Sequence, residues 1–259
     1  MRYFLKALKI AAFVLLVVTF LAVSFAVDLA VGNEKSKRLY FSRISSFYMK
    51  MALAVLGVRV RVINPERLVP GRGSFMVCNH LSYIDVFAIF SNVPAVFVAN
   101  SELEEAFLLG TIIKYSGGVF VERRGRARLL RDMESITGML DLGLNVVLFP
   151  EGTTSDGSGV SPFKSSFLAA AEGREVLPLC IKYKTVNGAP ITPENSPLVY
   201  YYGDITFFEH FFRFLGLESV TAELTALGPV DAHGLSRKEI ADIACREIGS
   251  CYLDDTYTG

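Results

Sequence analysis

Apolar positions along this chain fall into two regimes. From Ile10 to Val27 the sequence "IAAFVLLVVTFLAVSFAV" runs eighteen residues without a charge. At about 1.5 Å per residue that is roughly 27 Å of helix, enough to cross a hydrocarbon core. A second apolar stretch, "ISSFYMKMALAVLG" from Ile44 to Gly57, is too short to span and carries Lys50. It fits either an amphipathic helix lying in the membrane interface or a helix packed on the domain. After Gly57 the period changes. "VRVRV" alternates as a strand does, and from there β-rich runs take turns with helical ones. The runs "SFMVC", "AVFVA", "GVFVE", "NVVLF" and "VLPLCIKY" are apolar on both faces, as strands covered on both sides by helices must be. A helix is predicted to start at Ser101, where Ser101 and Glu104 form a capping box, and another over "RARLLRDMESITGMLDLG", ended by Gly143. Further on, "ITFFEHFFRFLG" spaces Phe207, Phe208, Phe211, Phe212 and Leu215 along one helical face, opposite Glu209 and Arg213. We read that stripe as facing the core, with His210 on the polar side.

Alternation of this kind predicts one α/β domain over residues 58–259, with a central, mostly parallel sheet flanked by helices. Residues 1–57 are predicted to precede it as N-terminal hydrophobic membrane helices. The rival for the first helix is a cleaved signal peptide, with Arg2, Lys6 and Lys9 as its basic start and "SFA" before Val27 as the cleavage site; the apolar run exceeds the usual length of a signal core, about 7–15 residues, so we read a retained anchor. Cations flank both ends, Lys35, Lys37, Arg38 and Arg43 on the far side, which leans toward a domain facing the cytoplasm, on the inner membrane if the source is bacterial.

Composition narrows the function. Lys+Arg and Asp+Glu balance at 26 each, so no basic footprint for nucleic acid exists. The excess is apolar, with 51% hydrophobic residues and a mean hydropathy of +0.39. Cys78, Cys180, Cys245 and Cys251 make no CxxC pair and the three histidines have no zinc spacing, so we expect reduced thiols and no metal site.

Three strands end in polar, glycine-containing turns: Asn79-His80 after "SFMVC", Glu122-Arg123-Arg124 after "GVFV", and "EGTTSDGSG" after "NVVLFP". In open α/β sheets ligands bind beyond the carboxyl ends of the strands, so these loops are predicted to converge on a site. Ser82 is the candidate cap of the helix "YIDVFAIF", which puts Asp85 in its first turn with His80 just before the cap. A carboxylate there can take the N–H of one imidazole nitrogen and leave the other basic toward a hydroxyl. The bland alternative is that Asp85 closes a capping box with Ser82 and His80 is a plain loop residue. No G-x-S-x-G elbow supplies a nucleophile, and Cys78 sits inside an apolar run. The substrate would then bring the hydroxyl, as in group transfer. Arg123, Arg124, Arg126 and Arg128, with Lys164 past the "EGTT" turn, are suited to holding a phosphate.

Taken together, "NHLSYID", "GGVFVERR", "FPEGTTS" and "VLPLCI" resemble, in order, the four blocks of the lysophosphatidic acid acyltransferases of glycerolipid synthesis. The resemblance runs from about Val58 to Leu227. It implies transfer of a fatty acyl group from an acyl-CoA or acyl-carrier-protein thioester to lysophosphatidic acid, giving phosphatidic acid, with no bound cofactor. By position it makes His80 the general base and Asp85 its partner. It makes Arg123 a phosphate contact and Glu151, Gly152 and Thr153 part of the acceptor site, with Asn79, Arg124, Thr154 and Lys164 beside them. Where many members have an arginine, this chain has Thr154. "EGTTSDG" and "YYGDITFFEHFF" look more like the branch that includes lyso-ornithine-lipid and other lysophospholipid acyltransferases. The implied partners are membrane lipids, the lysolipid acceptor and the thioester donor. A membrane lipid-binding module without chemistry is the competing class.

Overall fold

The all-apolar runs form the middle of a sheet. In the computed structural model, which describes residues 2–122 and 126–254, the chain begins with two long helices, α1 (Arg2–Ala30) and α2 (Glu34–Leu56). There follow β1 (Val58–Ile63), β2 (Phe75–Cys78), α3 (Ile84–Phe90), β3 (Ala95–Asn100), α4 (Phe107–Tyr115), β4 (Val119–Val121), α5 (Arg126–Asp141) and β5 (Asn145–Leu148). The rest comprises β6 (Glu175–Val186), β7 (Ala189–Pro190), α6 (Phe207–Phe214), β8 (Val220–Ala226), β9 (Val230–Asp231) and α7 (Arg237–Leu253). The main strand order is β1-β8-β6-β2-β5-β3-β4, parallel throughout except where β6 meets β8. The expected α/β class and mostly parallel sheet are therefore present.

Every residue of β2 and β5 is buried, because the pleat sends alternate side chains to two apolar layers. Met76 and Cys78 join α2, α3 and α6 on one face, while Phe75 and Val77 join α5 and α7 on the other. Helix α2 packs on the domain through Ser45, Met49, Ala52, Leu53 and Leu56, sharing its core with Val58 and Ile84. It stops at Gly57, whose φ of 78° and closeness to the Glu218 carbonyl leave no room for a side chain.

Among the described residues α1 is the one helix long and apolar enough to cross a bilayer, over Leu5–Ala30. One side lies along α2, where Phe20 meets Tyr48 and Lys37 pairs with Asp28. Its other side leaves Leu8, Val14, Leu15, Val18 and Leu29 exposed.

Two local expectations fail for physical reasons. No α-helix starts at Ser101: Asn100 takes the Glu102 N–H, a single 3-10 turn covers Ser101–Leu103, and α4 starts six residues later, at Phe107. There Gly110 lies so close to the Glu104 carbonyl that a Cβ would collide with it, so the chain doubles back instead of continuing as one helix. In α6 the stripe is divided. Leu215 is buried and Phe211 packs against the core, but Phe208 and Phe212 are 68% and 47% exposed, and His210, expected on the polar side, is buried with Phe214. The Tyr83 hydroxyl meets His210 Nδ1 at 3.0 Å, which gives the buried imidazole a polar partner.

Candidate active site

β2 ends at Cys78, and the next two residues turn the chain toward α3 along the carboxyl end of the sheet. Asn79 is buried and bridges to β6, donating to the Ile181 carbonyl at 2.9 Å and accepting from its N–H at 2.8 Å. Its amide thus pins the turn after β2 to β6. His80 follows, with its side chain 19% exposed and its ring stacked on Phe149 at 4.0 Å.

The carboxylate of Asp85 gathers four donors. Oδ2 takes His80 Nδ1 at 2.8 Å and the backbone N–H groups of Leu81 and Ser82 at 2.7 and 2.9 Å. Oδ1 accepts from the Tyr183 hydroxyl at 2.7 Å. Ser82 is a weak cap, its Oγ standing 3.5 Å from the Ile84 nitrogen, so the acidic residue does most of the capping. Of the capping-box reading only the Asp85 half is made, by the Ser82 N–H, and His80 is not a plain loop residue. The oxygen that caps the helix also holds the imidazole, leaving Nε2 as the basic nitrogen. Among these donors Tyr183 was invisible in the sequence. It comes from β6, 98 residues away from Asp85, and no local spacing signals it. Burial first, and then the charge of Asp85, pushes its phenol well above the usual range, so it stays a donor.

The loop after β5 is laced to this turn. Glu151, predicted to belong to the acceptor site, is buried, one oxygen accepting from the His80 N–H at 2.7 Å and the other from the Ser161 N–H at 2.8 Å. Burial pushes its carboxyl up while the two N–H bonds pull it down. Ser155 N–H donates to the His80 carbonyl at 2.9 Å. Gly152 turns the chain with φ 81°, leaving Thr153 exposed and Thr154 half-buried. Lys164 lines a cavity of about 290 Å³ with Leu129, Leu148, Phe149, Pro150, Ser166 and Phe167. Phe149, which carries the His80 ring on its face, thus also forms part of that cavity's wall. Two of the three predicted loops thus meet; Arg123 and Arg124 lie outside the described residues, as do the side chains of Arg126 and Arg128.

Cys78 is fully buried, its thiol pushed far up by burial and then by the charge of Asp85, so it offers no thiolate. All four cysteines are free thiols.

Comparison with known proteins bears on the fold and the family. A family model described as Acyltransferase matches residues 59–183. The lyso-ornithine lipid O-acyltransferase of Rhizobium meliloti (strain 1021) is 31% identical over 216 residues, covering 79% of this chain and 73% of that protein. The 1-acyl-sn-glycerol-3-phosphate acyltransferase of Neisseria gonorrhoeae is 33% identical over 141 residues, covering 54% of this chain and 55% of that protein. The crystal structure of the 1-acyl-sn-glycerophosphate (LPA) acyltransferase PlsC from Thermotoga maritima shares the fold, with a TM-score of 0.68 at 22% identity over 99% of this chain and 100% of that one. With the four blocks in order, a histidine–aspartate pair at the end of a parallel strand and lyso-ornithine lipid O-acyltransferases alike over three quarters of its length, the chain belongs to the lysophosphatidic acid acyltransferase family and is an acyltransferase.

Proposed function

We propose that the chain moves a fatty acyl group from an acyl thioester, of coenzyme A or acyl-carrier protein, to the free hydroxyl of a lysolipid. The observation carrying this reading is the His80–Asp85 bond of 2.8 Å beside a cavity. Asp85 holds the Nδ1 proton, so Nε2 takes the proton of the acceptor hydroxyl as its oxygen attacks the thioester carbonyl. The carbon–sulfur bond then breaks and the imidazolium returns the proton to the leaving thiolate. Atoms and charge balance without a covalent enzyme intermediate.

Different observations favour two acceptors. Our first reading is a lyso-ornithine lipid. The proteins of Rhizobium meliloti (strain 1021) and Brucella abortus (strain 2308), alike over 79% and 76% of this chain, carry that name, and the uncharged Thr154 suits a headgroup without a phosphate monoester. The second is lysophosphatidic acid, favoured by the Neisseria relative and by the ammonium of Lys164 at the cavity. Purified protein given one acyl donor and both acceptors separates them through kcat/KM. The first reading expects the lyso-ornithine lipid to win, with Lys164→Ala affecting both alike. A panel won by lysophosphatidic acid, with Lys164→Ala removing about 10- to 100-fold of that preference, the worth of one charge-assisted contact, establishes the second.

Tyr183 acts through Asp85 as a positioning residue in this scheme. In Tyr183→Phe the carboxylate keeps its other three donors but carries more unshared charge, so it binds the imidazolium more tightly. In the folded enzyme kcat should then fall by about 3- to 10-fold with the acceptor KM unchanged, because a more tightly held imidazolium returns its proton to the leaving thiolate less readily. A purely structural phenol would lower the melting temperature and leave kcat in place, and that result would remove Tyr183 from the scheme.

A further inference from the structure

We infer that the outer face of α6 is a second membrane contact, seated in the lipid interface beside α1. Phe208 and Phe212 are one helical turn apart and project together from α6, 68% and 47% exposed, with Phe207 36% exposed next to them. A cluster of phenylalanines on one short helix is costly in water and marks an interaction surface. Its surroundings identify the occupant as a bilayer. Phe211 of the same helix packs on Phe13 at 4.9 Å, and Phe13 lies inside the apolar segment Leu5–Ala30. Lys9 secures the junction, donating to the carbonyls of Leu217, just past α6, and Leu56 at 2.7 and 3.1 Å. A lipid surface that receives the exposed side of α1, where Leu8, Val14 and Leu15 project, therefore borders α6.

The only charges within α6 are Glu209 and Arg213, which pair with each other. With no net charge on the helix, the contact works by insertion of rings and not by attraction to anionic lipid. The same helix touches the catalytic turn: Phe207 packs on Tyr83 at 5.0 Å, and Tyr83 stands two residues before Asp85. Seating α6 in the interface thus holds the mouth of the site at the surface from which a lipid acceptor arrives.

The chain contains no tryptophan, so Phe208→Trp introduces a single indole at the proposed contact. The full-length protein is placed in phosphatidylcholine vesicles with and without bromine on the acyl chains. We expect blue-shifted emission that brominated lipid quenches in neutral vesicles as strongly as in anionic ones. Leu253→Trp, exposed on α7 across the sheet, should be unaffected. Emission from Phe208→Trp that ignores bromine overturns the inference, as does a blue shift that needs no vesicles and rises with protein concentration, which marks a second copy of the chain as the occupant. A second arm rests on the proposed lysolipid reaction: Phe208→Ser/Phe212→Ser should lose about tenfold or more of its turnover on vesicle-borne acceptor, and none on a short-chain acceptor dispersed as monomers. Unchanged turnover on vesicles, or equal loss on both, also overturns it. Because quenching requires no turnover, failure of the acyl-transfer reading leaves the first arm intact.

Discussion

Replacing His80 by alanine should lower kcat/KM by about 10²- to 10⁴-fold, the usual contribution of a positioned general base. The fold should survive. The backbone N–H of His80 still donates to Glu151 and its carbonyl still accepts from Ser155, so the turn is held without the imidazole. Asp85 keeps the N–H groups of Leu81 and Ser82 and the hydroxyl of Tyr183. The loss is then chemical, and it is measured as thiol release from an acyl thioester in the presence of a lysolipid, beside a thermal melt of the same sample. A variant that melts normally and turns over at near the parental rate would dismiss His80 as the base.

Asp85→Asn is the sharper probe, because it separates charge from geometry. Three donors converge on Oδ2 within 2.7–2.9 Å, and one hydroxyl reaches Oδ1. The asparagine oxygen will occupy the Oδ2 position and its amide will face Tyr183, whose hydroxyl can turn to accept. The cap, the turn and the imidazole tautomer are retained, and only the negative charge beside the forming imidazolium disappears. We expect turnover to fall by about 10²-fold or more, with a stability loss of about 1 kcal/mol from the weakened hydrogen bonds. If this variant keeps half of the parental kcat/KM, Asp85 is a helix cap and nothing more. Asp85→Ala is a poorer choice, since it strands two buried N–H groups and a buried hydroxyl at about 1–3 kcal/mol each.

Much of the His80–Asp85 pair is legible in the amino-acid sequence. Five residues separate His80 from Asp85 at the end of an all-apolar run, and a strand followed by a helix start brings such residues together by local geometry alone. The same locality explains why Gly57 and Gly143 mark helix ends, and why Ile10–Val27 stands out as a helix long enough for a membrane. It also explains what sequence reasoning leaves out. Asn79 and Glu151 occupy motif positions that resemble substrate contacts, and both also tie together segments that follow different strands, Asn79 after β2 to Ile181 in β6, and Glu151 after β5 to His80 after β2. Their partners can be found only by knowing which strands are neighbours.

By itself the sequence determined the element types, the order of the polar turns, and the spacing of His80 and Asp85, because each depends on periodicities of two to four residues along the chain. The tertiary structure alone decided that β6 lies beside β2 and brings Tyr183 to Asp85, that the turn after β5 is laced to His80, and that α6 buries His210 while presenting Phe208 and Phe212 outward. Those outcomes follow from strand order and from competition among helices for a limited apolar surface: α1 meets α6 at Phe211 and the core takes Phe214 and Leu215, which leaves Phe208 and Phe212 uncovered.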